Sequence, residues 1–125
     1  MNKEDLDKLS KKIIGIAINV HKNLGPGFPE KIYQKALAIE LNKFGLKTER
    51  EAKITINWDK KIIGYQFIDL FIENEFIVEI KIAHEISDLY KAQLFSYLKA
   101  ANKKLGLILN FGRPVLEIKR IVNNL

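Results

Sequence analysis

Two segments that are apolar on both faces limit the fold of this chain more than any other feature. Residues 64–72 and 76–82 are separated only by Glu73-Asn74-Glu75. Side chains alternate along a strand, so apolar residues at consecutive positions place both segments inside a sheet covered on its two sides. A hairpin turning at Asn74 sets Asp69 opposite Glu79, because each stands five residues from the turn centre. Lys81, two residues beyond Glu79, falls on the same face. Two carboxylates and an ammonium on a covered strand are costly to desolvate unless something pairs with them.

The flanking sequence supplies the layers. Leu6, Leu9, Ile13, Ile16, Ala17 and Val20 recur at helical spacing and predict a first helix from about residue 3 to 23. Gly25-Pro26-Gly27 breaks it, and a second helix starts near Pro29 with Ile32, Tyr33, Ala36, Leu37, Leu41 and Phe44 as its apolar stripe, stopped by Gly45. The period then changes to two: Ala52, Ile54, Ile56 and Trp58 alternate with polar residues, as in a strand with one wet face. Ser87-Asp88 caps a third helix to about Ala101, with Leu89, Ala92, Leu94, Leu98 and Ala101 expected to be buried. Strands at 105–110 and about 115–122 close the chain. The order α-α-β-β-β-α-β-β predicts an α/β fold, a mixed central sheet flanked by helices, built as one domain over residues 1–125.

Composition narrows the function. The formal net charge of +6 and pI near 9.5 favour polyanions such as nucleic acid. No cysteine is present, which excludes disulfides, zinc–thiolate sites and thiol nucleophiles. The apolar run 13–20 is too short for a membrane span and is preceded by Glu4, Asp5 and Asp7, the wrong flank for a signal peptide. The expectation is a cytoplasmic protein with no membrane partner.

Phosphodiester hydrolysis needs an activated water, a stabiliser for charge growing on the phosphate and help for the leaving oxygen. A divalent cation held by carboxylates serves all three. Mg²⁺ keeps several waters and needs only one or two protein carboxylates, here Asp69 and Glu79, with Mn²⁺ as a substitute. The Ile80 carbonyl lies between them and can add a ligand. Lys81 can orient the nucleophilic water or neutralise the phosphate. The competing reading is a cross-strand ion pair in which Lys81 merely satisfies Asp69 or Glu79. Gln93 and Tyr97, four apart on the third helix, share a face that can reach a phosphate, or else form an ordinary helix surface. Glu30, in the first turn of the second helix, is either a further metal or water ligand or simple helix-end electrostatics.

The segment Gly27-Phe28-Pro29-Glu30-Lys31-Ile32-Tyr33 resembles the signature of the GxxExxY family, small proteins of the PD-(D/E)XK nuclease superfamily. The resemblance spans nearly the whole chain. Residues 20–27 look like the lead-in to the signature and Leu109-Asn110-Phe111-Gly112 like its closing segment. Asp69 falls on the superfamily Asp, Glu79-Ile80-Lys81 on its Glu-x-Lys, Glu30 on the first-helix carboxylate, and Gln93 with Tyr97 on the glutamine–tyrosine element of RecB-type exonucleases. The resemblance implies a restriction-endonuclease-like fold, metal dependence and action on DNA or RNA, DNA ahead of RNA. On it, Asp69, Glu79, Lys81 and Gln93 are catalytic. Asp69, Glu79, Ile80 and Glu30 hold metal, and Tyr97 and Tyr33 contact substrate. One position departs: relatives often carry a basic residue two before the strand Asp, where this chain has Phe67.

The alternative is a non-catalytic module that keeps this fold and binds nucleic acid or a protein. Either form allows a homodimer. His21 and His84 lack zinc spacing and are read as core or solvated residues. Trp58 is expected to cover the sheet in preference to stacking on a base.

Overall fold

The computed structural model describes all 125 residues. Helix α1 (Lys3–Leu24) begins at a reciprocal cap: the Asn2 side chain accepts from the Asp5 amide at 2.9 Å, and Asp5 Oδ2 accepts from the Asn2 amide at 3.3 Å. Its buried stripe is the predicted one with Ser10 and His21 added. Helix α2 (Glu30–Lys43) follows Pro29. Then come β1 (Thr48–Trp58), β2 (Lys61–Ile72), β3 (Phe76–Lys81), α3 (Asp88–Ala101), β4 (Leu105–Asn110) and β5 (Glu117–Val122).

The five strands form one sheet in chain order. All neighbours are antiparallel except β3 and β4, which run parallel because α3 carries the chain back between them. Helices α1 and α2 cover one face with Leu70, Ile72, Phe76, Val78 and Ile80, while α3 covers the other with Ile77, Leu94, Leu98 and Ile108. The doubly apolar pattern of β3 and β4 is thus explained by helices on both sides. At Gly106 a Cβ would stand 2.8 Å from the Ile77 carbonyl and 3.2 Å from Leu94, so α3 packs this closely only over glycine. No helix is long and apolar enough to cross a membrane.

Four expectations about burial need correction, the first at β2, which is covered on both faces only near the hairpin and leaves Tyr65 and Phe67 exposed instead of enclosing the whole of 64–72. On α2, Ile32 and Phe44 are exposed, while Gln34 and Ala38 are buried beside Tyr33, Leu37 and Leu41. The stripe is rotated because the sheet meets the helix on its Gln34 side. On α3, Leu89 and Ala92 face solvent, since only Leu94 and Leu98 reach the sheet fully. Along β1, Ala52 and Ile54 are buried but Trp58 is 74% exposed. The β1–β2 ribbon projects beyond α3, so nothing lies there for Trp58 to cover.

Candidate active site

The β2–β3 hairpin carries the site because it comes apart. Its ladder holds three pairs, Ile72 with Phe76, Phe71 with Ile77 and Leu70 with Val78, a register that pivots on Asn74. Glu73 and Asn74 make the bend with positive φ (54° and 55°). Beyond Leu70 and Val78, β2 continues against β1 and β3 against β4, so the two strands separate. Backbone donors left without a strand partner must find another acceptor. Asp69 and Glu79 supply it: the Asp69 amide donates to Glu79 Oε2 at 2.8 Å, and the Ile80 amide donates to Asp69 Oδ2 at 2.7 Å. The two acids therefore meet inside the fork, each bonded across it.

Helix α2 reaches the fork through a residue that sequence reasoning missed. Gln34 is 2% exposed, donates to Asp69 Oδ1 at 3.2 Å and accepts from Arg50 Nη1 at 3.1 Å. One turn beyond Glu30, it lies on the same helix face, and that spacing was the available signal. Both Asp69 oxygens are thus engaged. No protein group donates to Glu79 Oε1, and no buried side-chain oxygen lacks a partner, so this atom opens to the cleft.

Electrostatics mark the pair. Burial, then the Asp69 charge, pushes the Glu79 carboxyl up to about 8, against the Asp69 amide and Lys81, which pull it down. Glu30 is raised by crowding at the cleft mouth and then by Asp69, with Lys81 and Lys31 opposing. Tyr97 is raised by burial and then by Glu79 and Asp69, while the neighbouring Gln93 side chain lowers it. The phenol of α3 therefore feels the acids from the other layer, with Gln93 beside it. The Lys81 ammonium lies over the Tyr90 ring, 4.5 Å from its centroid, and is not in a carboxylate ion pair. The structural ion pair weighed as an alternative does not form.

Two assignments change. Tyr33 offers nothing to a substrate: it is fully buried, its hydroxyl donates to the Gly25 carbonyl at 2.5 Å and accepts from the Phe28 amide at 3.2 Å, and its ring stacks on Phe111. It pins the bend that delivers Glu30. Glu30 itself is exposed, and no three acids or histidines converge on one point. Its carboxylate interacts electrostatically with Asp69 and Lys81 from the cleft mouth. Ile80 contributes its amide to Asp69, as described.

The closing segment secures the loop after Lys81. Asn110, fully buried, accepts from the Ala83 and Gly112 amides, both at 3.0 Å, and donates to the Ala83 carbonyl at 2.9 Å and to Glu117 at 3.1 Å. The Phe111 amide donates to the Lys81 carbonyl at 2.9 Å. At Gly112 a Cβ would stand 2.8 Å from the Ala83 nitrogen, so glycine is required. His21 is a core residue, its Nε2 sharing a hydrogen bond with the Arg113 carbonyl at 2.8 Å.

The donor set fits a small divalent cation. Two carboxylates share one fork, burial and mutual repulsion hold one of them above its ordinary range, and one oxygen is open. A cation relieves that repulsion, and two carboxylates suffice for an ion that retains water.

No curated protein shows significant similarity to the sequence. A solved chain, described as the crystal structure of SSO0001, superposes with a TM-score of 0.57 at 21% identity, over 76% of this chain and 50% of that one. This likeness concerns the fold, and the chain matches only half the length of that structure. A family model for the PD-(D/E)XK nuclease superfamily matches residues 7–121. With nearly the whole chain inside that match, this protein belongs to the PD-(D/E)XK nuclease superfamily.

Proposed function

We propose that the chain is a divalent-metal-dependent nuclease that hydrolyses phosphodiester bonds of nucleic acid, DNA ahead of RNA, with Mg²⁺ as resident ion and Mn²⁺ as substitute. The fork carries the proposal: Asp69 and Glu79 are bonded across it, and Lys81 stands on the same strand as Glu79 without an ion-pair partner. Within the superfamily we place the chain in the GxxExxY family. Support comes from the signature residues, since Tyr33 locks the glycine bend and Glu30 leaves it toward the acids.

Asp69 and Glu79 would hold the ion, which when bound supplies positive charge for the phosphate and acidifies water. Glu79 can give up its proton to accommodate it. Lys81, moving off the Tyr90 ring, neutralises the phosphate oxygens or orients the attacking water. Gln93 and Tyr97 hydrogen-bond the phosphate from the α3 side. Water oxygen bonds to phosphorus, the bond to the leaving oxygen breaks, and a water proton ends on that oxygen. The small area beside the cleft favours action on ends or distorted structures, by a monomer or a homodimer, in the cytoplasm.

The test is digestion of labelled single- and double-stranded DNA and RNA with Mg²⁺, Mn²⁺ or EDTA, using the wild type, Asp69→Asn and Lys81→Ala. Metal-dependent products from the wild type, lost in both variants, are expected. A wild type inert with either metal on all four substrates, yet retarding nucleic acid in a gel, moves the assignment to a non-catalytic binding module.

A further inference from the structure

The outer half of the β1–β2 ribbon is uncovered. It ends in a turn where Asp59 and Lys60 both have positive φ (50° and 63°), which suits the twist of a two-residue hairpin. Ile63, Tyr65 and Phe67 occupy alternate positions of β2 and are 65%, 53% and 58% exposed. Trp58, at the end of β1, is also exposed. Single exposed apolar residues need no explanation, but a run of them with a polar rim marks a surface that meets a partner.

Charge and continuity identify that partner. Lys53 stands opposite Phe67 in the ladder, and its ammonium lies 3.8 Å from the Tyr65 ring centroid. Lys60 and Lys61 follow at the turn, and Asp59 is the only acid between residues 52 and 68. An apolar protein surface would leave these ammonium groups desolvated and unpaired, whereas a polyanion would not. Phe67 also lines the same cleft of about 370 Å³ as Asp69, so the exposed stripe runs into the fork without a break.

We infer that the outer face of the β1–β2 ribbon is a stacking platform for an unpaired nucleic-acid strand, which it leads to the acids of the fork. The destination of the strand rests on the nuclease reading; the platform does not. Alternate side chains of a strand stand about 6.8 Å apart, twice the roughly 3.4 Å rise of one stacked nucleic-acid strand. Each ring can therefore receive one base of an unstacked strand, while lysines follow its phosphates. A duplex keeps its base faces turned inward and has none to offer.

Fluorescence anisotropy in EDTA, where no hydrolysis occurs, tests this with oligo-dT of about 15 nucleotides and a blunt hairpin duplex. The wild type should prefer oligo-dT by about tenfold or more. The double variant Tyr65→Ala/Phe67→Ala should bind oligo-dT at least about tenfold more weakly and duplex within about twofold of wild type. Lys53→Gln should lower the salt slope by about one. Both aromatic positions are exposed, so unchanged melting is the fold control. The inference is overturned by wild-type preference for duplex, by no oligo-dT binding at all, or by undiminished binding in the double variant. A dimer-to-monomer shift in that variant, with oligo-dT affinity intact, would assign the face to a second copy instead. Oligo-dT binding through these rings by a chain that cleaves nothing removes the nuclease reading alone. Metal-dependent cleavage with ring-independent binding removes this inference alone.

Discussion

Replacing Glu79 by glutamine should make the metal-free protein more stable in alkali while destroying its response to metal. In the folded chain the Glu79 carboxyl titrates at about 8 against 4.5 when unperturbed, because burial and Asp69 disfavour its charge. Between those values the folded state binds more protons than the unfolded one. The contribution of Glu79 to stability is therefore fully present below pH 4.5 and is lost as pH rises through about 8. At 1.36 kcal/mol per unit the full span corresponds to about 5 kcal/mol. A glutamine keeps the acceptor for the Asp69 amide and can donate to the Asp69 carboxylate, but burying its amide returns about 1–2 kcal/mol. The net expectation at pH 9 is stabilisation of roughly 3 kcal/mol. For a 125-residue chain this raises Tm by about 10 °C. At pH 5, where wild-type Glu79 is protonated, the difference should shrink below about 1 kcal/mol. Thermal melts of both proteins across this range in EDTA, compared as a difference, cancel the titration of groups that do not interact with Glu79 and leave that of the fork's acid pair. Adding Mn²⁺ at pH 8–9 should raise the wild-type Tm and leave the variant unmoved. An offset between the proteins that is the same at pH 5 and pH 9 would show that the buried charge of Glu79 does not govern it.

Gln34→Ala removes the donor to Asp69 Oδ1 and the acceptor of Arg50 at a buried position, so a loss of about 1–3 kcal/mol is expected in urea titrations; an unchanged midpoint would show that the bridge is dispensable. Tyr33→Phe keeps the stack on Phe111 but leaves the Gly25 carbonyl and Phe28 amide without their hydroxyl, and should lower stability by about 1–2 kcal/mol. Because the tyrosine touches no substrate in this account, KM should be unaltered, and a large rise in KM would restore it to a contact role.

The position of the acids was legible because strand period and turn chemistry agree: the apolar residues next to Glu73-Asn74-Glu75 pair in a register that centres on Asn74, whereas the exposure of Tyr65 and Phe67 farther out was not. The extents of the helices were legible for the same kind of reason, a helical period with Pro29 and Ser87 marking the starts of α2 and α3, although the faces those two helices bury are not the expected ones. The separation of β2 from β3 was not, because each strand has a second neighbour whose claim on it is invisible in the local pattern. Gln34 and Arg50 were missed since their meeting with Asp69 joins three elements distant in sequence. Tyr33 was misread because a signature residue can be retained to hold a bend as readily as to touch a ligand. Trp58 was misplaced because alternation tells which face a residue takes but not where the covering helix stops.

The backbone bonds of the fork bear on how this protein should be interrogated. Asp69 is also the acceptor for a main-chain donor in the neighbouring strand. Truncation to alanine would orphan the Ile80 amide and invite the two strands to rearrange, so an inactive alanine mutant confounds lost chemistry with lost architecture. Isosteric asparagine, which retains an oxygen for that amide, separates the two, and any scan of this cleft is best read through amide replacements.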